Sequence, residues 1–182
     1  MDAADEEPRP GREALDILRA AFPPEWRDTP LGWDGVAAWE TANGVVLPEP
    51  YRSFVAEIAN GSALGPAEDG GLLPLGWLPP SWPALGDRHV AAPFPLEAAW
   101  AWEYEDDAEA DIEERSSAVY NHGSIILGAE DGPMYWMLVV TGQQRGKIWL
   151  VADVGAHPYP GPDAVGFLEW VQRWQAGGDW WD

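Results

Sequence analysis

The apolar and polar positions divide the chain into a helical first half and a strand-rich second half. Between residues 11 and 22, Leu15, Leu18 and Phe22 recur at helical spacing, and Pro23-Pro24 stops the pattern. A second short helix is predicted over residues 33–42, ending at Asn43-Gly44. A third follows Pro48 and Pro50, which sit where a missing N–H does no harm. Its apolar face is Tyr51, Phe54, Val55 and Ile58, at i, i+3, i+4 and i+7, and Asn60-Gly61 supplies a left-handed stop.

Residues 62–95 are rich in Gly and Pro, with Leu72-Leu73-Pro74-Leu75 as a short strand that proline confines to an edge or an end. Residues 96–103 are read as helical, with Leu96, Ala99 and Trp100 inward. Acids then crowd in at Glu103, Glu105, Asp106, Asp107, Glu109, Asp111, Glu113 and Glu114. Their mutual repulsion, and the poor fit of acids to a helix C-terminus, predict that this helix ends there.

The period then changes. Residues 124–127, 134–141 and 147–152 read as three strands, separated by the turn signals Glu130-Asp131-Gly132-Pro133 and Thr141-Gly142-Gln143-Gln144-Arg145-Gly146. The middle strand, Met134-Tyr135-Trp136-Met137-Leu138-Val139-Val140, is apolar on both faces, which predicts a central strand covered on both sides. A last helix is expected after Pro162, capped by Asp163, with Phe167, Leu168, Val171 and Trp174 inward and Gly177-Gly178 at its end. Helices, a meander and a closing helix predict an α+β fold, with an antiparallel-rich β-sheet flanked by N-terminal helices and a C-terminal helix. There is no internal repeat. Residues 1–10, acidic and carrying Pro8 and Pro10, read as a flexible tail, and residues 11–182 as one domain.

Charge adds more to this picture than hydrophobic content does. Thirty-one acids oppose ten bases for a net charge of −21, and Lys147 is the single lysine. Such a surface repels phosphate backbones and attracts cationic partners, so direct nucleic-acid binding is not expected. No apolar run is long enough to span a membrane, and the acidic start Met1-Asp2-Ala3-Ala4-Asp5-Glu6-Glu7 is unlike a signal peptide, so a cytoplasmic location is expected. The absence of cysteine excludes disulfides, thiolate catalysis and thiolate metal sites.

Several motifs, taken in order, resemble the Smi/Knr-type branch of the SUKH superfamily, whose founding members include yeast cell-wall-assembly regulators. They begin with Leu47-Pro48-Glu49-Pro50-Tyr51-Arg52-Ser53-Phe54-Val55 and Asn60-Gly61. They continue through Leu73-Pro74-Leu75, through Phe94-Pro95-Leu96 to Ala99-Trp100-Ala101-Trp102-Glu103, and through Gly123-Ser124-Ile125-Ile126-Leu127-Gly128. The segments Tyr135-Trp136-Met137-Leu138-Val139-Val140-Thr141-Gly142, Gly146-Lys147-Ile148-Trp149 and Phe167-Leu168-Glu169-Trp170 complete the likeness, in the Trp-rich acidic form common in high-GC bacteria. The resemblance implies a binding scaffold with no catalytic residue set and no cofactor. Many such proteins are immunity proteins against toxins, frequently nucleases, and others are regulatory modules.

The acidic run and its tryptophans are therefore the candidate partner-binding residues: Trp100, Trp102, Glu103, Glu105, Asp106, Asp107, Glu109, Asp111, Glu113 and Glu114. An acidic segment can occupy a cationic cleft as a phosphate mimic, and tryptophan is favoured at interface hot spots. Trp77, Trp82, Trp180 and Trp181 fall in predicted loops or near the chain end, whereas Trp136, Trp149, Trp170 and Trp174 belong to predicted core elements. His89, His122 and His157 lack metal-ligand spacing and read as turn or surface residues. Glu68-Asp69-Gly70 and Glu130-Asp131-Gly132 lack the alternating ligands of a calcium loop. The expected partner is a basic toxin domain met by a monomer. A regulatory module without a toxin, and a carbohydrate-binding or carbohydrate-active protein, are the alternatives.

Overall fold

Hairpin connections in the strand-rich half dictate neighbours in chain order, and the computed structural model, which describes residues 7–178, has that order. Strands β1 (Ser124–Glu130), β2 (Met134–Val139), β3 (Ile148–Ala152) and β4 (Gly155–Pro158) form one antiparallel sheet, β1-β2-β3-β4. Side chains of a strand alternate between faces, and here both faces are covered. Ile125, Trp136, Leu138, Ile148 and Leu150 enter one core, whereas Ile126, Tyr135, Met137, Val139, Trp149 and Val151 enter a second. That is why β2 is apolar throughout, as its sequence predicts.

The first core is closed by α1 (Arg12–Ala21), α2 (Gly32–Asn43), α3 (Tyr51–Glu57) and α5 (Phe167–Gln175). Leu18, Phe22, Phe54, Phe167 and Trp170 supply its helical side. The Phe22 and Phe54 rings lie 5.1 Å apart, and Tyr51 and Phe167 meet edge-on at 5.1 Å. Glu40 joins α2 to α3. It receives the Arg52 guanidinium at 2.9 Å and the Leu47 backbone N–H at 2.7 Å, while only 8 % exposed. The second core is closed by α4 (Glu109–Asn121), through Val119 and Tyr120, together with Phe94 and Trp102. The fold is thus α+β, with helices on both faces of the sheet.

Three expectations are corrected, and one strand is added. Residues 96–103 form no α-helix, only the start of a single 3-10 turn, Trp102–Tyr104; the Trp100 backbone exchanges two 2.9 Å hydrogen bonds with Ala156 on the outer edge of β4, and this extended path precludes an α-helical ladder. The acidic run begins a helix instead of ending one. Glu109 and Asp111 stand in the first turn of α4, where the helix dipole favours the negative charge that it would oppose at a C-terminus. Strand β4 was not foreseen, because Gly155-Ala156-His157-Pro158 is short and has no β-branched residue. Helix α5 starts after Gly166, not after Asp163, because Val165 is held in the extended link beside β3 by bonds to Tyr159 and Ile148.

The Leu72-Leu75 segment makes only an isolated bridge, Ser62 to Leu72, and the Leu73 N–H donates to the Leu127 carbonyl at 2.8 Å. It therefore follows the outer edge of β1, where its proline is tolerated. Within the segment expected to be a loose tail, Glu7 accepts from Arg145 at 3.1 Å, and Arg9 grips Glu57 with 3.0 Å contacts. Trp180 and Trp181 lie outside the described residues. Among the described residues no helix is long and apolar enough to cross a membrane.

Candidate functional site

Two features stand out, one on each side of the sheet. The first is an acidic ridge on the α4 side. All eight of its acids are exposed: Glu103, Glu105, Asp106, Asp107, Glu109, Asp111, Glu113 and Glu114. The aromatic residue presented with them is Tyr104, 80 % exposed, which the sequence reading did not single out. Trp102 is buried, and its indole N–H donates to the Asp153 carbonyl at 2.6 Å, so it anchors the ridge to the β3–β4 turn. Trp100 is half-buried. Its indole donates to Glu105 at 2.9 Å, its ring meets Trp102 at 5.1 Å, and the Arg115 guanidinium lies 4.3 Å over its face. Arg115 also pairs with Asp107 at 3.5 Å. The base of α4 is held by Arg88, which donates to the Tyr120 and Ser124 carbonyls and lies over Trp82. Burial lowers its pKa to about 10, so it stays cationic at neutral pH, as suits a helix C-terminus.

The second feature lies on the α5 side. A cavity of about 380 Å³ is bounded by Glu68, Glu130, Trp136, Tyr159, Trp170 and Trp174. Trp136 meets Tyr159 edge-on at 4.8 Å and Trp170 at 5.4 Å, which makes an aromatic wall. Glu130 is 3 % exposed, and its Oε1 accepts from the Trp136 indole N–H. Its Oε2 is buried and makes no well-formed hydrogen bond among the described residues. Burial pushes the Glu130 carboxyl above the ordinary carboxylate range; the indole N–H opposes that shift, the Glu68 carboxylate adds to it, and the Glu68 backbone N–H opposes it.

A β-bulge decides where Glu130 points. Pairing runs Ile126 to Met137 and then Gly128 to Trp136, so Leu127 is the extra residue. Strict alternation from Ile126 would send Glu130 to the α4 side. The bulge reverses the parity and places it with Trp136. Gly128 is required at this step, because a Cβ there would collide with Ala67 and come within 2.8 Å of the Gly71 carbonyl, both in the loop that borders the cavity.

The two acid-acid-glycine turns weighed as calcium loops are brought side by side by the bridge from Asp69 to Ala129, yet no cluster able to hold a metal ion forms among the described residues. His89 and His122, widely separated in the chain, are also neighbours, with rings 5.4 Å apart. His157 is half-buried on β4. Of the loop tryptophans, Trp77 is 64 % exposed, whereas Trp82 is packed between Tyr120 and Tyr135. The cavity was not found from sequence, since only the bulge and the packing of α5 bring its residues together.

No protein-family model matches the chain, and no curated protein or solved structure matches it at a significant level.

Proposed function

We propose that the chain is a non-enzymatic, cytoplasmic, monomeric protein-binding domain that neutralises a cationic partner in the manner of an immunity protein. The observation that carries this reading is the ridge. Eight exposed acids and the exposed Tyr104 are displayed on one platform, anchored below by Trp102 and Arg88. An acidic surface held in place by a buried anchor steers a basic partner and loses little conformational freedom on docking. The motif order that resembles the SUKH superfamily supports a nuclease-type toxin as that partner.

Co-expression with a basic toxin domain encoded beside this chain tests the reading. Rescue of growth, lost when Glu109, Asp111, Glu113 and Glu114 are changed to their amides, is the expected outcome. A toxin that kills equally well in the presence of the unaltered chain would overturn it.

A further inference from the structure

From the cavity between β1, β2 and α5 we infer a binding site for an alkylammonium cation, with Glu130 and aromatic side chains in its lining. Three observations converge on that chemistry. First, Glu130 is 3 % exposed and keeps a carboxyl oxygen with no well-formed hydrogen bond, the Glu68 backbone N–H acting on it only weakly, and such an atom in a native structure calls for a partner. Second, neither Glu130 nor Glu68 has an ion-pair partner among the described residues, although both border the cavity. Two uncompensated carboxyls beside a low-dielectric wall create a field that favours a positive charge. Third, the wall is Trp136, Trp170, Trp174 and Tyr159, and aromatic faces attract cations, alkylated ammonium above all. An anion would meet two carboxyls and no base. A neutral sugar could hydrogen-bond the carboxyls but would leave their charge uncompensated.

The volume of about 380 Å³ admits a small amine or the end of a lysine side chain. The site lies on the face of the sheet opposite the acidic ridge, so it stands independently of the proposed function.

The test is a titration of the full chain with n-butylammonium chloride, followed by the Trp136 indole N–H resonance, with sodium chloride at matched concentration as the reference. A saturating shift is expected, with a Kd of roughly 1–10 mM for so small a ligand. Glu130→Gln should weaken it by about tenfold or more, and Glu68→Gln, at the exposed mouth, by less. The ridge variant with Glu109, Asp111 and Glu113 changed to amides should leave it unchanged. A blocked Gly-Lys-Gly peptide separates the sources: binding at least as tight as butylammonium identifies a lysine side chain, and exclusion of the peptide identifies a free amine. Equal binding by n-pentanol or methyl glucoside would overturn the inference. So would an unsaturable shift matched by sodium chloride, or Kd values unaltered in both Glu130→Gln and Glu68→Gln.

Discussion

The Trp136 indole N–H donates to Glu130 Oε1 across the β1–β2 hairpin, and this bond exists because a bulge at Leu127 turns both side chains to the same face. The tryptophan thereby orients a carboxylate that burial removes from water. A buried polar pair of this kind is held in one geometry by its packing, and here that packing comes from α5.

The pH dependence of stability follows from the raised pKa of Glu130. The folded chain retains this proton to higher pH than the unfolded chain, whose carboxyl titrates near its ordinary 4.5. Unfolding therefore releases a proton in that window, and stability falls as pH rises from 4.5 through the folded value. Glu130→Gln cannot ionise. Its melting temperature should match wild type below about pH 4 and exceed it at neutral pH, as thermal denaturation followed by circular dichroism would show.

Gly128→Ala should destabilise the fold by about 1–3 kcal/mol, because the new methyl overlaps the loop that carries Ala67 and Gly71. The displacement should also move the Trp136 indole resonance, which an unrelated surface substitution of similar size would leave alone. Chemical denaturation and the indole spectrum are the two measurements.

Glu40→Ala should cost about 2–3 kcal/mol, since it strands the Leu47 N–H and removes the carboxylate that meets Arg52 between α2 and α3. The midpoint of urea unfolding should fall with little change in the slope. Glu57→Ala, which breaks the exposed pair with Arg9, should cost less than about 1 kcal/mol.

On the ridge, changing Glu109, Asp111, Glu113 and Glu114 to amides should slow association with a basic partner by about tenfold, mainly through the on-rate. Added salt should reproduce the effect in wild type, because exposed charges are screened over about 8 Å at physiological ionic strength. Stopped-flow association across a salt series would measure both.

Acid sensitivity should also arise at the histidine pair. Burial, and then the neighbouring His89, hold His122 below its ordinary 6.5. Stability is therefore lost as pH falls from 6.5 through the folded value, opposite in sign to the effect of Glu130. His122→Gln should flatten the acid limb of a melting-temperature profile.

Local chemistry and the period of the pattern determined much of this protein from sequence. The apolar stripe from Leu15 to Phe22, the stop at Gly44 and the continuous apolar run of β2 each depend on neighbours a few residues away, so α1, α2, α3, α5, the meander and the burial of its middle strand were legible, whereas α4 was not. The family and the partner stayed expectations. The ridge was legible as a charge run, but its polarity was misread: whether Glu109 begins a helix or follows one depends on Trp100 pairing with Ala156, more than fifty residues downstream. Only the tertiary structure decided that Trp102 is an anchor and that Glu130 is buried. A one-residue bulge reverses the face of every residue after it, and neither the period of the sequence nor its charge records that shift.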